Sequence, residues 1–331
     1  MPAAAPSPAA VLARLPKVSD VIKAYGLVAK SQLSQNFILD MNVTDKIVGM
    51  VQPNRKLPDL RNSLVIEVGP GPGMLTRSLI KAGANKIIAV EKDSRFLPLL
   101  SQLTDATNGA FRVVHGDILA TDGADLLAQA ARDLNHDPTT EPVHLVGNLP
   151  FNIATPLLIA QLRAMADKSG LFSAPAGTDM TLMFQREVAE RMIAPTGGNK
   201  RSRLSVVVQA VSGAELAGIV PRSVFVPRPA VDAAVVRFVP RAGAFPVPGG
   251  MLALETVARG VFGQRRKTIR NNLRATYGDE DVADALMERV GINPGSRPQD
   301  LSTAQVVRLA VAVHEMGLTS STGSVVTDGE D

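Results

Sequence analysis

The sequence contains no cysteine. Disulfide scaffolds, thiolate-bound zinc and thiol nucleophiles are therefore excluded, and a reducing compartment is permitted. The four histidines, His115, His136, His144 and His314, are scattered without metal-ligand spacing, so no metal is expected. No apolar run approaches the ~18 residues of a membrane span, so no membrane partner is expected. Acids are missing from residues 1–19, which hold Arg14 and Lys17 in an Ala- and Pro-rich stretch. That composition fits either an organelle-targeting peptide or a disordered terminus, and its prolines make a poor amphipathic helix.

What is present is ordinary globular composition: 331 residues, 45% apolar and 20% charged. The length suits one large domain and a smaller one. Thirty-five Lys and Arg against 31 acids leave a formal charge of +4, a mild excess whose placement matters more than its size.

From about residue 60, short apolar runs alternate with helical periodicity, the order of a parallel sheet covered by helices. Residues 64–68, 86–90, 111–114, 143–146 and 180–184 read as buried strands. Residues 75–81, 95–103, 124–134, 156–165 and 186–192 read as helices. Three further runs, 204–211, 215–220 and 231–239, read as an antiparallel edge on the same sheet. The Pro- and Gly-rich stretch 242–250 marks a boundary, beyond which 251–262, 267–276, 281–290 and 303–316 read as helices. The expected fold is α/β: a doubly wound, mainly parallel Rossmann-like sheet with a small C-terminal helical domain. The expected divisions are an N-terminal segment 1–30, a catalytic domain 31–241, a helical domain 250–317 and a disordered tail 318–331.

The strand at 64–68 runs into Glu67-Val68-Gly69-Pro70-Gly71-Pro72-Gly73. Glycines such as Gly69 and Gly71 let the backbone turn and approach a ligand at the carboxyl end of a strand, where doubly wound sheets bind nucleotides. Met74 occupies the place of the third glycine of the dinucleotide fingerprint, which argues against a nucleotide-dependent oxidoreductase. The next strand ends at Glu91-Lys92-Asp93, and an acid there can accept both ribose hydroxyls of an adenosine. A third ends at Gly116-Asp117-Ile118, where a carboxylate can take the adenine amino group while Ile118 covers the ring. Taken singly, a helix-capping Asp117 and a surface Glu91 are the plainer readings. Three successive strand ends together point to an adenosine-containing cofactor.

The fourth strand ends in Gly147-Asn148-Leu149-Pro150-Phe151-Asn152. The Asn148 side-chain oxygen and the Leu149 carbonyl can each accept an N–H from a planar amine, aiming its lone pair at a methyl sulfonium. Phe151 can stack on a base that has left its own stack. No general base is required, because the nitrogen proton becomes acidic once alkylated.

With these strings the sequence resembles the KsgA-type ribosomal RNA adenine dimethyltransferases from about Leu33 to Leu309. Ser34 to Phe37, Phe184 to Val188, Val226 to Pro229 and Phe262 to Asn272 carry the likeness alongside the strand-end motifs. The mitochondrial branch, which includes mitochondrial transcription factor B, looks nearer through Val21 to Leu39 and Glu91 to Leu99. The resemblance implies S-adenosylmethionine as cofactor, contacted by Gln35, Asn36, Ile38, Gly69, Glu91, Lys92, Asp117 and Asn148. It implies that Phe225 flanks the target base opposite Phe151. The implied substrate is an adenine pair in a small-subunit rRNA hairpin, on the RNA or a precursor ribosomal particle. A monomer acting in mitochondria is implied, with a bacterial cytoplasm as the alternative. The family often has Tyr where Phe151 stands and Leu where Ile38 stands, and stacking survives both changes.

Residues 260–276 carry Arg265, Arg266, Lys267, Arg270 and Arg274 with no acid. On a helix beginning near Arg266, the arginines at 266, 270 and 274 share one face, a candidate phosphate-binding surface rather than a merely solvated one. Arg222 and Arg228 around Phe225 are weaker RNA contacts, and Lys200, Arg201 and Arg203 read as a charged loop. A non-catalytic nucleic-acid-binding factor on the same fold is the competing function. Such a protein is free to lose Glu91, Asn148 or Phe151, and this chain keeps all of them.

Overall fold

The chain opens with two short helices, α1 (Pro8–Ala13) and α2 (Val18–Ala24), then β1 (Phe37–Ile38) and α3 (Met41–Gly49) in the computed structural model. Residues 8–13, 15–24, 26, 35–52, 60–243 and 245–319 are described; Arg14, Ser34 and the tail from residue 320 lie outside them. Of the two expectations for the terminal segment, the plain disordered terminus does not hold for its described residues: Val11, Val18 and Val21 are buried. Val11 and Val21 join the same apolar cluster as Leu75 and Leu79. Arg77, itself 8% exposed, donates from Nη1 to the Pro16 carbonyl at 2.8 Å, holding this segment down. Burial of these valines supplies helix stability that the proline-rich sequence does not.

The parallel part of the sheet is built from β2 (Leu64–Val68), β3 (Ile87–Glu91), β4 (Phe111–His115), β5 (Val143–Gly147) and β6 (Thr178–Gln185), which pair parallel with one another. Helices α4 (Met74–Lys81), α5 (Leu97–Ala106), α6 (Gly123–Leu134) and α7 (Phe151–Asp167) alternate with them. After α8 (Arg186–Met192) and α9 (Arg203–Val211) come β7 (Ser212–Val220), β8 (Phe225–Val226) and β9 (Ala233–Pro240). The order is β4-β3-β2-β5-β6-β9-β7, with β9 antiparallel to β6, so the expected mixed edge is present. Strands β2, β3 and β5 are buried at every position, which explains their largely apolar composition. The chain winds outward from β2 to β4 and returns to β5 on the other flank of β2, with Val68 opposite Gly147. This reversal creates a crevice at the carboxyl ends of β2 and β5.

Two elements differ from the sequence reading. Residues 204–211, expected as a strand, form α9: Ser202 and Ser205 close a capping box, and Val206, Val207 and Val208 are buried. Tertiary burial overrides the β preference of that valine run. Helix α7 starts at Phe151 rather than 156, with Pro156 inside it. Its missing N–H would have served the carbonyl of Asn152, an exposed residue.

The fold divides into two units: one up to Ala189 plus Ala214–Pro240, the other Glu190–Gly213 plus the chain from Arg241. The helical unit thus takes in α9 as well as α10 (Gly250–Phe262), α11 (Ile269–Tyr277), α12 (Glu280–Val290) and α13 (Thr303–Glu315). The single boundary expected at 242–250 is one of the places where the chain passes between units.

Candidate cofactor cleft and methyl-transfer site

At the crevice between β2 and β5, a cleft of about 650 Å³ is lined by Gln35, Asn36, Ile38, Gly69, Gly71, Glu91 and Asn148, among others. Gly69 has φ +62° and nothing within 4 Å of the place a Cβ would occupy, so the backbone turns tightly and leaves that space to the cleft. The N–H of Gly71 donates to Glu91 Oε2 at 2.9 Å, which ties the loop after β2 to the end of β3.

Glu91 is 5% exposed, and burial raises its pKa against the pull of the Asp93 and Gly71 N–H groups. Its Oε1 accepts the Asp93 N–H at 2.7 Å. Each carboxylate oxygen retains acceptor capacity for a hydroxyl, as a ribose diol requires. Asn148 follows β5 and donates from Nδ2 to the Asn36 carbonyl at 3.2 Å. That bond turns the side-chain amide so that nitrogen holds the N-terminal wall and oxygen is left for another donor.

Other expected residues stand elsewhere. Lys92, Asp117 and Ile118 do not line the cleft. Asp117 caps a short helical turn by accepting the Leu119 N–H at 3.0 Å and pairs with Lys92 Nζ at 2.8 Å. Lys92, then the Leu119 N–H, holds its carboxyl below the usual range. Leu149 is buried, leaving its backbone as the usable group. Phe225, expected to face a base opposite Phe151, is 3% exposed, because pairing of β8 with β1 sets it opposite Ile38 within the apolar cluster. Phe151 is half-buried against the same cluster. Phe225 thus offers no open face to a base.

The basic surface also changes. Helix α11 begins at Ile269 with Thr268 as its cap, so Arg266 precedes the helix and shares no helical face with Arg270 and Arg274. Arg270 binds the Asp284 carboxylate through Nε and Nη2 and lies 3.2 Å from Glu280, while Arg274 lies 3.7 Å from Glu280. Arg266 and Lys267 are exposed, and Arg265 donates to the Asn199 carbonyl at 2.6 Å. Arg222 closes its own loop through the Asp232 carboxylate and the Ala230 carbonyl, and Arg228 is exposed.

Sequence reasoning missed several buried polar groups. Glu67 is wholly buried beneath the glycine loop, where desolvation pushes its carboxyl up to about 8 although Thr76 Oγ1 donates to it at 2.6 Å. An acid inside an apolar strand was its available signal. Asp93 is 6% exposed and held down at about 2, chiefly by Arg95. At the opposite end of the strands, His144 Nδ1 meets Asp179 Oδ1 at 2.5 Å, and Arg237 donates to Asp179 Oδ2 at 2.8 Å.

The family model described as "Ribosomal RNA adenine dimethylase" matches residues 26–315. The chain is 40% identical over 306 residues to human "Dimethyladenosine transferase 1, mitochondrial", covering 91% of this chain and 86% of the relative. It is 41% identical over 299 residues to "Ribosomal RNA small subunit methyltransferase A" of Mesorhizobium japonicum, covering 90% and 98%. Among solved structures, a dimethyladenosine transferase from Plasmodium falciparum has a TM-score of 0.62 at 22% identity, covering 84% of this chain and 98% of its own, a likeness of fold. With the family match spanning residues 26–315 and Gly69, Glu91 and Asn148 lining one crevice, the chain belongs to the ribosomal RNA adenine dimethylase family.

Proposed function

We propose that this chain uses S-adenosylmethionine to dimethylate the N6 of adenines in small-subunit rRNA, on two adjacent adenines of a hairpin loop. The observation that carries the reading is the meeting of Glu91 and Asn148 in one cleft at the reversal of strand order. The residues present fit the cofactor: open space at Gly69 suits a ligand, and Glu91 keeps acceptor capacity for ribose hydroxyls.

When bound, S-adenosylmethionine supplies an electrophilic methyl group on sulfonium. Glu91 orients the ribose, and the backbone at Gly69 and Gly71 admits the cofactor closely. The Asn148 oxygen and the Leu149 carbonyl accept the N–H groups of the target amine and fix its lone pair. Phe151 covers one face of the extruded base. Phe225 covers the other after its ring leaves the cluster that buries it. Asp117 and Ile118, which stand beyond the cleft lining with Lys92 paired to Asp117, are assigned to the adenine only where the ligand extends past Glu91. Arg265, Arg266 and Lys267, with Arg228, supply phosphate contacts, and Arg222 supports the Phe225 loop.

The name of the human relative supports a mitochondrial site of action, and the Mesorhizobium relative supports a bacterial cytoplasm as the alternative. The chain acts as a monomer on a precursor ribosomal particle. Incubating the protein and S-adenosylmethionine with unmodified small-subunit particles, followed by mass spectrometry of the rRNA, tests the reading. Dimethyladenosine is expected, and its absence with a cofactor-bound protein overturns the proposed substrate.

A further inference from the structure

We propose that Asp93 and Arg95 form a latch that fixes Gln35, and with it the wall 35–38, over the end of the cleft marked by Glu91. The proposal rests on the cofactor reading above and assigns to the pair a positioning role for the bound cofactor.

Arg95 donates from Nε to both Asp93 oxygens at 2.9 and 3.1 Å and from Nη2 to Oδ2 at 2.5 Å. Gln35 is held from both ends of its amide: its Nε2 donates to Asp93 Oδ2 at 3.2 Å and its Oε1 accepts from Arg95 Nη2 at 3.4 Å. The same Asp93 donates its backbone N–H to Glu91 Oε1 at 2.7 Å. A continuous polar chain therefore runs from the candidate ribose acid through Asp93 and Arg95 to a residue far away in sequence on the facing wall. Apolar contacts reinforce it. The Arg95 guanidinium lies 5.7 Å from the Phe96 ring centre, and Phe96 meets Phe37 of the wall edge-on at 5.5 Å.

The plainer role for Asp93 is to cap the short turn Ser94–Phe96, where its Oδ1 accepts the Arg95 N–H at 3.2 Å. Capping occupies one oxygen and requires neither the Arg95 side chain nor Gln35. A bidentate guanidinium adds directional hold that a cap alone lacks. Because β1 is only two residues long, the wall has little ladder of its own to set its position.

The test is a double-mutant cycle read by calorimetry with S-adenosylmethionine, with thermal unfolding as the control for folding. Arg95→Met is expected to raise Kd about 10-fold, the loss of one charge-assisted hydrogen-bonded link. Arg95→Lys is expected to recover part of the loss. Gln35→Leu alone is expected to cost about 10-fold, and the double variant also about 10-fold rather than 100-fold, because both changes open one latch. At saturating cofactor the kcat of Arg95→Met, which lies outside the cleft lining, stays within about 2-fold of wild type, since uniform binding alone is lost. Multiplicative losses, or an unchanged Kd in Arg95→Met beside a wild type that binds, overturn the latch alone. A wild type that does not bind the cofactor overturns the cofactor reading and the latch with it.

Discussion

Arg201 donates from Nη2 to the Thr303 hydroxyl at 3.0 Å, joining residues 102 positions apart. Its guanidinium is fully buried and also donates to the carbonyls of Leu301 and Ala194 and to Gln209 Oε1. The side chain read as part of a charged loop is therefore the polar staple of the helical unit. Burial lowers its pKa, and the carbonyl and amide oxygens around it replace the water it has lost.

Arg201→Met is expected to destabilise the helical unit by about 3 kcal/mol or more, because several buried acceptors lose their donor together. Urea unfolding followed by circular dichroism measures it. A loss below about 0.5 kcal/mol, typical of surface changes, removes Arg201 from this role.

Legibility in the sequence followed how local each signal was. Gly69, Glu91 and Asn148 stand at or directly after the ends of buried strands, so a strand-by-strand reading placed them at one end of a sheet, where they line one cleft. Arg201 gave no such signal: flanked by Lys200 and Arg203, it looks solvated, and its burial depends on Leu301 and Thr303 arriving from far along the chain. Residues 204–211 misled because β-branched residues favour strands until a capped helix buries them. The phase of Arg266 failed because Thr268, not Arg266, caps the helix. The N-terminal valines were hidden by proline content, and Phe225 by a two-residue strand too short for a periodic pattern.

Glu67 makes stability pH-dependent. Its folded pKa of about 8 exceeds the ordinary 4.5, so the folded state holds a proton that the unfolded state releases. This contribution is complete below the unfolded pKa and is lost as pH rises through about 8. Glu67→Gln, which mimics the protonated carboxyl, is expected to flatten the fall in Tm between pH 5 and about 8.5. The residual slope comes in part from Glu91, whose pKa is raised in the same direction. Identical slopes in the two proteins, measured by calorimetric scans across that range, contradict the assignment.

The paired and unpaired arginines of the helical unit are expected to differ toward RNA. Arg266→Ala should shallow the slope of log K against log salt by about 0.7 to 0.9 for each phosphate it no longer neutralises, with cofactor affinity unchanged. Arg270→Ala should leave that slope in place, because its guanidinium is committed to Asp284 and Glu280. Filter binding across a salt series decides, and a larger change for Arg270→Ala reverses the assignment.

The most direct test of the methyl-transfer reading is Asn148→Ala, assayed in single-turnover reactions on a small-subunit precursor particle. The Asn148 amide bonds the Asn36 carbonyl and is assigned to orient the target amine, so saturating S-adenosylmethionine must offset any weakened cofactor binding. Misplacing a reacting group alone costs about 100-fold in rate. The predicted result is a folded protein that binds RNA normally and yields no detectable dimethyladenosine within the wild-type reaction time; robust dimethylation by the variant would contradict the account.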